Sequence, residues 1–208
     1  MMDGEIDSTF QTLQRDMFTS GIVAEIGVNA FGVWSAIKCY ADFATGHSWP
    51  GMREIGAKIG LSKSSVQRAV EVLLQAHLLR VVSSSKFKSK GQTYVARERL
   101  AVRLGGNIVC YVCVDYVPTH LRRRINRINQ SLRTGEHDPD AWAEVEIIPG
   151  DGFFWDAGSG TLKSSIPASG VPASTSTESD EYHRQLGEEI FSKIAPVTAK
   201  KLAGGSCG

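Results

Sequence analysis

Cysteine is scarce, with four residues in a chain of 208. A chain of this length with so few cysteines is not held together by a disulfide framework. Long apolar runs are missing as well. The longest, Ile108 to Val114, falls far short of the roughly 20 residues that a bilayer span takes, so no membrane partner is expected. The opening segment carries Asp3, Glu5 and Asp7. A basic start followed by an apolar stretch would mark a secretory signal, so the expected location is cytoplasmic. Catalytic signatures are absent too. There is no Gly-rich phosphate loop and no Ser-His-Asp arrangement, and the clustered carboxylates or His-hydrophobic-His pattern of a metal-dependent nuclease or nickase are missing. His47, His77, His120, His137 and His183 are scattered. Asp138, Asp140, Glu144 and Glu146 read as a solvated acidic surface. Cys110 and Cys113 have the spacing of half a zinc site, but they lie in an apolar strand pattern and Cys39 and Cys207 stand alone. They read as buried thiols. No enzyme activity, cofactor or metal is expected.

What the sequence does have is a core and an uneven charge. Apolar residues make up 42% and charged ones 22%, close to the globular average. The formal net charge of +1 hides its distribution. From Pro50 to Arg133 there are 16 Lys and Arg against four acids, a block of +12, and the flanks carry 7 basic and 18 acidic residues, or −11. A basic block between acidic flanks points to a polyanionic partner.

Residues 1–28 read as an acidic N-terminal arm. From Asn29 an apolar stripe of Phe31, Trp34, Ile37, Tyr40 and Ala41 recurs at helical steps and fades near Ala44. A loop at Thr45–Ser48 and the pair Trp49-Pro50 lead to a short helix, Met52 to Ile59, which Gly60 ends. Ser62 is placed to cap a third helix running to about Ala76, with His77 at its end. Leu78–Val82 and Gln92–Ala96 read as two strands of a hairpin with its tip at residues 83–91. Further strands are expected at Ala101–Leu104 and Asn107–Tyr116. A helix from about Pro118 to Leu132 follows, then a strand over Trp142–Ile148. From Ala157 to Asp180 the composition is that of a disordered linker, with a short amphipathic helix expected over Glu181–Ile194.

The chemistry concentrates between Ile55 and Val70. Gly56 is a small residue where two helices would touch, Gly60 suits the turn, and Val66 anchors the following helix. Ile55, Ile59, Leu61, Ala69, Val70, Leu73 and Leu74 would form the shared core. Facing outward on the third helix are Lys63, Ser64, Ser65, Gln67 and Arg68, all polar and none acidic. Arg68 has the two donors that match a guanine edge, and Gln67 the donor and acceptor that match adenine. Lys63, Ser64 and Ser65 lie near the helix N-terminus, where short side chains and free N–H groups meet phosphate. The hairpin tip that follows carries Lys86, Lys88 and Lys90, which alternate and so share one face of an extended chain. These would hold DNA backbone.

Trp49-Pro50, Ile55-Gly56, Gly60-Leu61-Ser62, Ser65-Val66-Gln67-Arg68-Ala69 and Leu73-Leu74 together resemble the winged helix-turn-helix module of bacterial plasmid and phage replication-initiator and regulator proteins. The resemblance covers roughly Asn29 to Ala96. It implies that Trp-Pro precedes the first helix of the motif and that Ser-x-x-Ser-Val-Gln-Arg opens the recognition helix. The expected fold class is α+β: a winged helix-turn-helix domain over 29–99, a strand-helix extension over 100–156, and a disordered tail over 157–208. The function implied is sequence-specific binding of double-stranded DNA in replication initiation or its control. A dimeric winged-helix transcriptional repressor is the alternative.

The helix after Pro118 adds Arg122, Arg123, Arg124, Arg127 and Arg133 to an apolar stripe of Leu121, Ile125, Ile128 and Leu132. A basic amphipathic helix can dock on neighbouring strands, grip phosphate, lie on a membrane or pair with a copy of itself. Arg122, Arg123 and Arg127 are candidates for a second clamp on DNA. The candidate protein partners are a second copy of the chain and a replication or transcription protein reached through the C-terminal tail.

Overall fold

The computed structural model describes residues 11–83, 92–104, 106–136, 138–156 and 161–165. It is a mixed helix-and-sheet protein, and among the described residues no helix is long and apolar enough to cross a membrane. The chain divides into two compact units. The first comprises residues 1–98 and 115–120, and the second residues 99–114 and 121–208.

The first unit opens with two short helices, α1 (Asp16–Thr19) and α2 (Ile22–Ile26), where the sequence suggested only an arm. Met17 and Ile22 are fully buried and Ile26 nearly so. These three side chains tie the segment to the core. Helix α3 (Val28–Cys39) follows: of the expected stripe Trp34 and Ile37 have no exposed surface and Phe31 and Tyr40 are half-buried, while Val33, outside that stripe, is fully buried. It ends earlier than Ala44 for a local reason. The Asp42 carboxylate accepts hydrogen bonds from the backbone N–H groups of Ala44 (3.1 Å) and Thr45 (2.8 Å), a turn that competes with helix. Strand β1 (His47–Ser48) leads into α4 (Met52–Ile59) and α5 (Lys63–Gln75), with the helix bounds that the sequence suggested. Helix α3 packs against both. After α5 the N–H of His77 bonds to Leu74 O (3.2 Å) and that of Leu78 to Leu73 O (2.8 Å), and His77 takes a positive φ of 58°. This double bond closes the helix, with Leu73 and Leu78 buried against it.

Strand β2 (Leu79–Ser83) pairs antiparallel with the start of β3 (Thr93–Leu104), Leu79 opposite Ala96. Strand β1 pairs with the same stretch, His47 opposite Val95. Residues 93–104 form one strand where the sequence suggested two. The charged run Arg97-Glu98-Arg99 looked like an interruption, but these side chains are buried and have partners. Arg97 meets Asp115 at 3.2 Å, Glu98 meets Lys38 at 2.6 Å, and Arg99 lies 4.0 Å over the Tyr111 ring.

In the second unit the end of β3 neighbours β4 (Asn107–Asp115), whose outer side carries β5 (Glu146–Pro149) with Val112 opposite Ile147. Between them come α6 (Leu121–Thr134) and the short α7 (Pro139–Trp142). The strand expected from Trp142 begins only at Glu146. Asp138 caps α7 by accepting from the Ala141 N–H, and Pro139 sits in the first turn, so the segment starts as helix. A hairpin of β6 (Phe153–Asp156) and β7 (Thr161–Ser164) ends the described chain, Trp155 opposite Leu162, with Lys163 paired to Asp156. Strand β7 falls inside the segment expected as linker. The rest of the expected linker, the tail helix, residues 1–10 of the N-terminal arm and the hairpin tip lie outside the described residues.

Candidate nucleic-acid interface

The first four residues of α5 owe their geometry to Ser62. Its hydroxyl accepts from the Ser65 N–H at 3.1 Å and lies 2.9 Å from the hydroxyls of both Ser64 and Ser65. The cap satisfies one of the N–H groups that a helix start leaves without a partner. The turn before it depends on two glycines. Gly60 adopts φ 73°, left-handed backbone that a side chain would strain. At Gly56 a Cβ would sit 2.3 Å from Leu61 O and 3.5 Å from a Val66 methyl. Gly56 therefore lets the backbone of the turn at Leu61 lie directly against α4, and Val66 of α5, fully buried, packs beside it.

This packing fixes which side of α5 faces outward. Val66, Ala69, Val70 and Leu73 are buried, whereas Lys63, Ser64, Gln67 and Arg68 are exposed. Ser65 is half-buried within the cap, so it belongs to the helix start more than to the outer face. No acid lies in the first turn, so the partial positive charge of the helix N-terminus adds to Lys63 and Arg68. Glu71, one turn on, is exposed as well. The surface near α4 adds Trp49, which is 62% exposed. Lys58 lies 5.0 Å over the Tyr40 ring and 3.7 Å from Glu54, and its hydrogen bond with Tyr40 holds its pKa above the ordinary lysine value.

The remaining candidates separate. Lys86, Lys88 and Lys90 lie outside the described residues. Arg122 and Arg123 are exposed on α6 in the second unit. Arg127, expected beside them, is committed elsewhere: its Nε and Nη2 each donate to Asp138 at 2.6 Å, and Asp140 lies 3.6 Å away. This bidentate pair holds α6 to α7 and raises the Arg127 pKa while lowering that of Asp138. Arg124 is also turned inward, donating from Nε to Ala141 O at 3.1 Å. The apolar stripe of α6 is turned into the fold at Leu121 and Ile128, which are buried, while Ile125 and Leu132 are half-buried. Cys110 and Cys113 are buried, and among the described residues no group of three or more His, Cys, Asp and Glu could hold a metal ion.

The sequence reading missed a buried ion pair. Lys38 and Glu98 both have fully buried side chains, with Nζ 2.6 Å from Oε1 and from Thr12 O. The ammonium sits between the rings of Trp34 (4.2 Å) and Tyr116 (4.1 Å). Two signals could have revealed it. Lys38 lies four residues after Trp34 and three before Ala41, on the buried stripe. Glu98 alternates in phase with Tyr94 and Ala96, both buried. No protein-family model matches the chain, and neither does any curated protein or solved structure.

Proposed function

We propose that the chain is a sequence-specific double-stranded DNA-binding protein of the winged helix-turn-helix kind that carries out no chemistry. The observation that carries the reading is the outer face of α5: Lys63, Ser64, Gln67 and Arg68 exposed together, with no acid in the first turn, on a helix locked by the Gly56–Leu61 contact. Gln67 and Arg68 carry the paired donors and acceptors that distinguish base edges in a major groove, and Lys63 and Ser64 suit phosphate. The order α3, β1, α4, α5, β2, β3, with β1 and β2 both paired to β3, is the order of elements in a winged helix. In this reading Lys86, Lys88 and Lys90, which lie between β2 and β3 in the sequence, hold the DNA backbone, with Arg122 and Arg123 as a second clamp.

The biological role proposed is replication initiation or its control on a plasmid or phage, as the resemblance implies. A dimeric transcriptional repressor is the second reading, favoured by Phe18 and Val28, exposed apolar side chains that a partner copy would cover. Selection of bound fragments from a random duplex pool tests the DNA reading. It predicts an enriched sequence, and Arg68→Ala should cost about 1–3 kcal/mol and relax preference at one base pair. Equal loss on selected and random DNA would defeat it. Footprinting separates the roles: direct repeats in an origin support initiation, and a palindrome over a promoter supports repression.

A further inference from the structure

The arginines of α6 fall into two groups with different work. Arg124 and Arg127 turn towards α7 and are held by Ala141 O and by Asp138. Arg122, Arg123 and Arg133 are exposed, and none pairs with an acid among the described residues. Three uncharged side chains share their side of the helix: Asn126, Asn129 and Gln130, all exposed. At 3.6 residues per turn, positions 122, 126, 129 and 133 fall within an arc of about 60°, with 123 and 130 together beyond one edge and half-buried Ile125 and Leu132 beyond the other. Leu121, Ile128 and Ser131 are buried on the other side. The arc of 122, 126, 129 and 133 therefore presents guanidinium and carboxamide groups, with the exposed Thr134 hydroxyl beyond position 130, and the helix contains no acid.

We propose that this face of α6 is a second base-reading surface for duplex DNA, with Asn126, Asn129 and Gln130 facing base edges and Arg122, Arg123 and Arg133 neutralising the phosphates beside them. A carboxamide offers a donor and an acceptor side by side, which matches the N6 and N7 of adenine, and arginine matches guanine or phosphate. A cationic rod meets a polyanion by charge complementarity. From residue 122 to residue 133 the helix rises about 16 Å, about five base steps at 3.4 Å each. A clamp on phosphate alone needs no ordered amides between its arginines. The inference rests on the DNA reading of α5 and extends it: the target carries two recognised segments, one per unit.

The test uses the full chain and its own selected duplexes. Selection should return two enriched blocks. Asn126→Ala/Asn129→Ala should lose preference in one block, at about a tenfold cost in affinity, and leave intact the block relaxed by Arg68→Ala. Replacing Arg122, Arg123 and Arg133 by Gln should flatten the salt dependence of binding by nearly three units in the log–log slope. All these positions are exposed, and circular dichroism of each variant checks that it folds. A single enriched block, unaffected by the α6 variants, overturns the inference and leaves the α5 reading standing. If the Asn variant weakens every sequence equally, α6 touches backbone only and the inference also fails. An RNA of the same sequence competing as well as the duplex would assign the face to another polymer. If no sequence is enriched and Arg68→Ala is silent, both readings fall together.

Discussion

At the scale of single residues, the first unit is organised around charges that are taken out of water. Burial, the leading influence on both partners, pulls the Lys38 pKa below its ordinary 10.5 and pushes that of Glu98 above its ordinary 4.5. For Glu98 the folded value is raised, so its penalty is absent at acid pH and grows as pH rises through 4.5. For Lys38 the folded value is lowered, so its penalty is absent above 10.5 and grows as pH falls. Near pH 7 both penalties are present, and the Glu98 Oε2 atom adds a buried acceptor without a hydrogen-bond partner. The expected outcome is asymmetric. Glu98→Leu or Lys38→Met alone should cost about 3–5 kcal/mol at pH 7, because each leaves a lone buried charge, whereas the double variant should lie near the wild type or above it. Urea unfolding of the three variants reads this directly, and additive losses would refute it. Cysteine chemistry gives a second expectation. Burial pushes the Cys110 thiol up to about 12, with Cys113 beside it adding to the effect. At pH 8 an alkylating reagent followed by peptide mapping should label exposed Cys39 in the native protein and reach Cys110 only after unfolding.

At the scale of elements, legibility tracked how local the determining interaction is. Helices α4 and α5 were readable to the residue because their signals are short-range: Gly60 for the left-handed turn, Ser62 for the cap, and a 3.6-residue stripe between. Their approach gives a sharp prediction. Gly56→Ala places a methyl 2.3 Å from a backbone carbonyl, which no rotamer relieves, so it should cost about 1–3 kcal/mol, as overpacking does. The proposed DNA binding should weaken too, through displacement of the turn that leads into α5, and a lower Tm with unchanged affinity would separate the two effects. The outward polarity of Gln67 and Arg68 was legible for the same local reason. The continuity of β3 was not, because the charges of Arg97, Glu98 and Arg99 are balanced by Asp115, Lys38 and the Tyr111 ring, partners that the sequence places from 12 to 60 residues away. The pairing of Arg127 was not legible for a related reason. Composition makes it one more cation on a basic helix, and only the turn of the chain through α7 brings Asp138 onto it. Helices α1 and α2 escaped notice because each is a single turn, too short for a period to show.

At the scale of the whole molecule, the near-neutral total is a balance between segments, and it decides how the fold responds to acid. Residues 134–156 contain seven acids and no Lys or Arg, directly after the arginine helix, and Asp138 is where the two charge blocks meet. Two carboxylates, half-buried Asp138 and exposed Asp42, have pKa values held below their ordinary 3.8, Asp138 by the hydrogen bond from Arg127 and Asp42 by those from Thr45. A carboxylate with a lowered folded value binds its proton less readily than in the unfolded chain. Its contribution is complete above the unfolded value and is lost as pH falls through the folded one. Both contributions should therefore be constant from pH 7 down to about 5 and be lost progressively once the pH falls below about 4. Glu98 acts in the opposite sense, since protonation in acid removes its buried charge. The acid limb should then have a definite origin: Asp138→Asn should lower stability at pH 7, where the Arg127 pair is intact, and converge on the wild type as the pH drops below 3.8. Chemical denaturation at stepped pH measures both curves. Parallel curves down to pH 2 would mean that the α6–α7 ion pair adds nothing, and that the apolar burial of the two helices alone holds that junction.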